Sequence, residues 1–355
     1  MSADGISGDS AYRDAGVDID AQDEALGRIK DLVAATATAG VLSQSGSFGG
    51  LFRPDLSGMD EPILVASADG VGTKLMVARM AGDYSTVGRD LVNHCVNDIL
   101  VQGAVPLFFL DYVGAGVLEP GAFADLVRGV ADGCRENSCA LLGGETAEMP
   151  GFYQPDDYEL VGFVVGMVDR PALLDGSRVR DGDVLLGLPS AGLHTNGYSL
   201  ARHVLFDRLG LGIGDPIPEL EPEKSVGHHL LDPHVTYLPA VRPLLGSSGL
   251  HGMAHITGGG LTDNLPRILP EGHGARVLVD SWTVPGLFQA LQTHGEVSTD
   301  EMFRVFNMGV GMVLVIDPSE ADAVQATLNH AGHGAWVLGR VEKGGQGVTY
   351  DGDSP

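Results

Sequence analysis

The sequence predicts a mixed α/β (α+β) protein built as two domains, and three features carry that reading. Through the first 170 residues, short apolar runs of strand character alternate with amphipathic helical stretches, a βαβ-like order with strands added. A polar, turn-rich stretch at 170–183 (RPALLDGSRVRDGD) then breaks the alternation. Beyond it a second unit opens on a strand-like run at 184–188 and carries another at 310–316 (VGMVLVI). The expected domains are residues 1–172 and 173–355, and 355 residues with 44% hydrophobic side chains can fill a core in each.

Taken in order, residues 1–12 are expected to be disordered. Residues 21–38 have helical periodicity, with Ala25, Leu26, Ile29, Leu32 and Val33 on one face. A Gly/Ser-rich loop spans 40–52. Residues 62–68 read as a buried strand ending at Asp69, and a helix follows at 73–81, so Asp69 to Lys74 is a strand-to-helix turn. The helix expected at 86–103 has two faces. Val92, Cys95, Val96 and Ile99 form the apolar one; Asp90, Asn93, His94 and Asn97 oppose it, with Asp98 at the edge. Asn and Asp are weak helix formers, and a solvated face would be better served by Glu or Lys, so this polar face is either plain solvent surface or a working surface. A strand at 106–112, a helix at 119–136, a strand at 139–143 running into Gly143-Gly144-Glu145, and a glycine-studded strand at 158–168 complete the first unit. In the second, a loop at 190–196 leads to a helix from Gly197, and His255 to Gly260 leads into another.

The formal charge of −26 and the scarcity of lysine (only Lys30, Lys74, Lys224 and Lys343) leave no basic stripe, which argues against nucleic acid as a partner. The same field opposes anionic substrates, so a phosphate site here must supply strong local donors. Cys95, Cys134 and Cys139 are odd in number, form no C-x-x-C and sit in apolar text, so they read as buried reduced thiols. No apolar run approaches the length of a membrane span, and the polar first ten residues lack a signal-peptide core; a cytoplasmic location and no membrane partner are expected.

No P-loop, strand-linked G-x-G-x-x-G, H-E-x-x-H or paired C-x-x-C is present. Three stretches point instead to a metal–triphosphate site. In Asp69-Gly70-Val71-Gly72-Thr73-Lys74, two glycines allow close backbone approach, the helix start attracts anions, and Lys74 could neutralise phosphate; an ordinary tight turn is the plainer alternative. Gly143-Gly144-Glu145-Thr146 is weak alone but places an acid at a strand end. Asp69, Asp98 and Glu145 together could ligate Mg²⁺, a hard cation that takes oxygen donors. Asp69, Gly70, Gly72, Thr73, Lys74, Asp90, Gly143, Gly144, Glu145 and Thr146 are the expected ATP contacts. His194, in the loop Leu193-His194-Thr195-Asn196-Gly197-Tyr198, suits proton transfer or phosphoryl stabilisation, or is a core or capping histidine. Thr257-Gly258-Gly259-Gly260 before Leu261 reads as a second anion site. His228, His229 and His234 are close in sequence and make a weak metal candidate.

The ensemble resembles the phosphoribosylformylglycinamidine cyclo-ligases (aminoimidazole ribonucleotide synthetases). The shared text is YRDAGVDID at 12–20, ADGVGTK at 68–74, CVNDILVQGAVPLFFLDY at 95–112, GGETAEMPGFY at 143–153, GLHTNGYSL at 192–200, ITGGGLTDNLPR at 256–267 and MFRVFNMGVGM at 302–312, in order across roughly residues 11–345. The resemblance implies an N-terminal ATP- and Mg²⁺-binding domain whose strands form a barrel shared across a homodimer, and a C-terminal substrate domain. It implies an ATP-dependent closure of the imidazole ring in purine biosynthesis, with Asp69, Lys74 and His194 catalytic and His194 and Asn196 on the formylglycinamidine ribonucleotide; the helix start at Gly258 to Gly260 adds these glycines as the expected cradle of an anionic part of that substrate. Four positions depart from the pattern: Ala68 and Thr195 stand where threonine and serine are common, and Asn93 and His94 are more polar than usual. Thiamine-monophosphate kinase and selenophosphate synthetase share the acid-bearing site. The first would lack the HTNGY and GGETAEMPG text, and the second usually has an early reactive cysteine, whereas none precedes Cys95. A non-catalytic ATP sensor would be expected to lose one of Asp69, Asp98, Glu145 or His194.

Overall fold

Two sheets carry the chain. The computed structural model describes residues 19–43 and 47–352; the expected disorder of 1–12 and the motif text at 12–18 lie outside them. The N-terminal sheet has the order β1-β4-β2-β3, from β1 (Pro62–Gly70), β2 (Val105–Ala115), β3 (Ala140–Glu148) and β4 (Tyr158–Asp169). β4 is antiparallel to β1 and β2, while β2 and β3 are parallel and joined by the helix Pro120–Glu136. That connection is the βαβ unit the alternation anticipated. The C-terminal sheet comprises β5 (Val184–Pro189), β6 (Leu250–His255), β7 (His273–Leu278), β8 (Val310–Ile316), β9 (Trp336–Lys343) and β10 (Gly347–Asp351), in the order β10-β7-β9-β5-β8-β6. Every residue of β8 is buried, as its unbroken apolar run requires of a covered central strand. Among the described residues no helix is long and apolar enough to cross a membrane.

The helices Val87–Leu100 and Pro120–Glu136 cover one face of the N-terminal sheet, and Ile19–Ala34 packs on the second of them. Ile19–Ala34 stops short of the expected 38, and Leu26 is exposed while Ala25 is buried. The two covering helices cross at glycines. A Cβ on Gly88 would lie 2.1 Å from Leu126 O and 2.6 Å from Val130 N, and one on Gly129 would lie 2.9 Å from Ser85 O. Alanine at position 88 would gain up to about 1 kcal/mol in helix propensity. The helices would have to separate to admit it, which costs about 1–3 kcal/mol. Gly88→Ala is therefore expected to lower Tm, read by thermal unfolding; an unchanged or raised Tm would show that the crossing can widen freely.

The polar face of Val87–Leu100 is not solvated. Asp90, Asn93, His94 and Asn97 are at most 3% exposed and fasten the helix to the second domain. Asn93 Nδ2 donates to His234 O at 2.8 Å, Asn97 Nδ2 donates to Val235 O at 2.8 Å, and Asn97 Oδ1 accepts from Tyr237 N at 3.1 Å. Asn137 donates to Asn93 Oδ1 at 2.8 Å and accepts from Thr236 Oγ1. Short amides suit this face because each offers a donor and an acceptor to backbone groups that water no longer reaches.

Candidate active site

Asp69 stands next to the last residue of β1, and His94 and Asp98 are one turn apart on Val87–Leu100, so both helix side chains point at the strand end. His94 Nε2 lies 2.8 Å from Asp69 Oδ2 and 3.7 Å from Asp98 Oδ2. Ser67 Oγ donates to Asp98 Oδ2 at 3.2 Å. From the second domain, the end of β6 brings His255, whose Nδ1 donates to Asp98 Oδ1 at 2.9 Å. His255 Nε2 meets His234 Nε2 at 3.0 Å, and Thr195 Oγ1 lies 2.6 Å from His94 Nδ1. Asp69, His94, Asp98, His255, Asn264 and Arg267 line one cavity of about 250 Å³ at the domain seam.

The electrostatics follow from burial and proximity. Burial is the largest influence on Asp69 and on Asp98 and pushes both carboxyls up. His94, His255 and the local hydrogen bonds together outweigh it, and both end below the ordinary carboxylate range. Burial pushes His94 down, yet Asp69, Asp98 and Asp90 overcome it and raise its pKa. His194 and His234 have no such partners, and burial holds both well below the ordinary histidine value, as neutral rings.

The structure brings together only part of the sequence-based set. Asp69 and Asp98 share the cavity. Glu145 does not join them: β3 continues to Glu148, so Glu145 is mid-strand, not at a strand end. In the register, Asp69 aligns with Gly162, Asp111 and Gly144, whereas Glu145 aligns with Tyr112, Val161 and Gly70. Adjacent rows face opposite sides, so Glu145 is on the other face and three strand spacings, about 14 Å, away. Gly144 serves a neighbour, since a Cβ there would lie 2.1 Å from Asp111 Oδ1. Burial raises that Asp111 carboxyl to about 7. Gly143 and Thr146 lie on the same strand, away from the cavity.

Lys74 and Asp90, expected among the ATP contacts, are buried against each other instead. Lys74 starts the helix Lys74–Ala81, is wholly buried, and forms an ion pair with Asp90 Oδ2 at 2.6 Å. Its remaining N–H groups go to His194 O at 3.2 Å and Asp232 O at 2.8 Å. Asp90 Oδ1 accepts from His234 N at 2.6 Å. With three donors and three acceptors the ammonium is satisfied, so it braces the His194 loop and has no free face for phosphate. Gly72 does leave the adjoining turn open: it is exposed, has φ +54°, and a Cβ placed on it would meet nothing within 4 Å, and Thr73 beside it is half-buried.

His194 is 1% exposed, has φ 60°, and stacks on His234 with ring centroids 4.0 Å apart. Left-handed backbone at a non-glycine residue is strained and is retained where surroundings fix it. Here Tyr198 OH and Lys74 both donate to its carbonyl. Its Nδ1 is buried with no hydrogen-bond partner among the described residues. Asn196 and Gly258 are neighbours, the amide oxygen lying 3.0 Å from where a Gly258 Cβ would sit. Gly259 and Gly260 answer to packing: both have positive φ, and a Cβ on Gly260 would meet Phe303 O at 2.0 Å. The helix they open is only Gly260–Asn264, too short for much of a dipole. His228 and His229 stay outside this cluster, whereas His234 is in it. Sequence reasoning missed the site roles of His255, His234 and Arg267; His94 carried a signal, four residues before Asp98 on one helix face.

The family model for AIR synthase related protein, N-terminal domain, matches residues 55–168, and that for the C-terminal domain matches residues 180–352. The chain is thus an AIR synthase related protein in both its halves. It belongs, more narrowly, to the phosphoribosylformylglycinamidine cyclo-ligase family. It is 48% identical over 333 residues to the cyclo-ligase of Trichlorobacter lovleyi, covering 94% of this chain and 95% of the relative. It is 50% identical over 340 residues to that of Desulfitobacterium hafniense, covering 96% and 99%. Among solved structures, thiamine-monophosphate kinase from Stenotrophomonas maltophilia shares the fold at TM-score 0.65 and 19% identity, covering 92% of this chain and 97% of the other. The hydrogenase maturation protein HypE in complex with ATP shares it at TM-score 0.61 and 18% identity, covering 96% and 88%.

Proposed function

We propose that this chain closes the imidazole ring of 5-aminoimidazole ribonucleotide from formylglycinamidine ribonucleotide, using ATP and releasing ADP and phosphate. Membership of the cyclo-ligase family supports the reaction, and the observation that carries the site is the meeting of Asp69 and Asp98 at a cavity walled by both domains. An amide oxygen is a poor leaving group. Transfer of the γ-phosphoryl group to it releases ADP and makes it a good one. The amidine nitrogen then attacks the activated carbon, the C–N bond forms, phosphate departs with the former amide oxygen, and the nitrogen loses its proton.

Two carboxylates held below their ordinary range fit a divalent cation carrying nucleotide oxygens, for which Mg²⁺ is the family expectation. When bound, such an ion neutralises charge on the phosphates. Asp69 and Asp98 would hold it, and the turn at Val71 to Thr73 would offer backbone N–H groups to phosphate. Lys74, Asp90 and His194 act as positioning residues, and Asn196, Gly258 and Arg267 face the substrate, with Arg267 supplying positive charge for its phosphate. We place the domain boundary at 172/173 and the enzyme in the cytoplasm. The reading is tested by whether ADP release requires formylglycinamidine ribonucleotide; ADP formed equally without it would overturn the assignment.

A homodimer closing a shared barrel accounts for the outer face of the N-terminal sheet. Leu64 and Phe163 are 65% and 49% exposed there, and Ala66 and Ala68 are open beside them. Phe163→Asp is expected to give a particle at the 37.0 kDa chain mass by light scattering, against twice that for the unaltered protein. A monomeric unaltered protein would contradict the dimer.

A further inference from the structure

We propose that the nucleotide's cation site in this chain is a mixed imidazole–carboxylate site, formed by Asp69, His94 and Asp98, that selects a borderline transition ion of the Mn²⁺, Co²⁺ or Zn²⁺ class over Mg²⁺. The inference rests on the reading of Asp69 and Asp98 as the cation's holders and adds the third donor. One ligand atom from each of the three residues lies within 4.8 Å of the other two. Ligand atoms around an ion with bonds of about 2.1 Å stand about 3 Å apart when adjacent and about 4.2 Å when opposite, so small side-chain adjustments close the set.

Each donor is aimed from behind. Thr195 Oγ1 holds His94 Nδ1 at 2.6 Å, which turns Nε2 toward the two carboxylates. His255 Nδ1 holds Asp98 Oδ1 at 2.9 Å and leaves Oδ2 facing His94. Outer partners of this kind fix ring and carboxylate orientation in metal sites. The Asp69 side chain is 45% exposed and that of Asp98 28%, so the cavity side remains open for phosphate oxygens and water. His94 and Thr195 come from different domains, so the docking of the domains sets the orientation of the imidazole. Nitrogen donors favour later divalent transition ions, whereas Mg²⁺ takes oxygen and keeps its waters.

The test is calorimetric titration of the metal-stripped protein with Co²⁺ and, separately, Mg²⁺, each with and without a non-hydrolysable ATP analogue, on the unaltered chain, His94→Gln and Asp98→Asn. Co²⁺ binds most oxygen sites more tightly than Mg²⁺, so the ratio alone decides nothing. The expected result is selective: His94→Gln weakens Co²⁺ about tenfold or more and leaves Mg²⁺ within about twofold, while Asp98→Asn weakens both. Cobalt-edge X-ray absorption on the unaltered chain, expected to show imidazole scattering, answers even if His94→Gln misfolds. An all-oxygen shell, or His94→Gln binding Co²⁺ like the unaltered chain, overturns the mixed site. If Mg²⁺ still binds and is lost in Asp98→Asn, only this inference fails. If neither ion binds, with or without the analogue, the reading of Asp69 and Asp98 fails with it.

Discussion

Asp69→Asn is expected to lower kcat/KM by about 10²–10³-fold or more while leaving the fold in place. The carboxylate sits at the end of β1 with half its surface toward the cavity, so its replacement removes little packing. What is lost is one anionic ligand where phosphate charge must be neutralised, and single preorganised electrostatic contacts of that kind are worth about 10²–10³-fold. The isosteric amide still accepts from Gly70 N–H, as Asp69 Oδ1 does at 2.7 Å, so the turn should survive. The measurement is steady-state kinetics at saturating ATP and metal beside a thermal melt. Near-normal turnover in the folded variant would remove Asp69 from the site, and a collapse of Tm would make the residue structural.

Lys74→Met is expected to be severely destabilising. The ion pair with Asp90 is wholly buried, and removing one member of such a pair costs about 3–5 kcal/mol because the other is left uncompensated. Burial already holds the Asp90 carboxyl above its ordinary range against the pull of Lys74. At about 2–4 °C per kcal/mol for chains approaching this size, Tm should fall by about 6–20 °C. The double variant Lys74→Met, Asp90→Asn should recover part of the loss, since the amide is neutral and keeps an acceptor for His234 N. An unchanged Tm with activity lost would mean that Lys74 works on phosphate, the role its motif first suggested.

That contrast shows what one sequence can carry. Asp69 and Asp98 were legible because an acid beside a glycine turn and an acid on a polar helix face are unusual placements with few structural motives. Glu145 looked equivalent, but its meaning depended on where β3 ends. The strand runs on through the glycines, and a shift of one residue in a strand selects the opposite face. Lys74 departs from its expected placement for a related reason. A lysine after a glycine turn suits phosphate, and nothing local reveals that Asp90, His194 O and Asp232 O converge on it from distant segments. His234 and His255 reach the site only through the docking of the domains, and no spacing encodes that contact. Gly260 illustrates the converse, a glycine that reads as a ligand cradle and is required by the Phe303 backbone.

The central claim is that the cavity between the domains couples ATP cleavage to ring closure. It is tested most directly by incubating the protein with formylglycinamidine ribonucleotide, ATP and Mg²⁺ or Mn²⁺, and following ADP, phosphate and the aminoimidazole product together. The account predicts one imidazole and one phosphate for each ADP, with none of the three formed when the ribonucleotide or the metal is withheld. ADP appearing without the imidazole, or a phosphorylated substrate accumulating with its ring open, would contradict it.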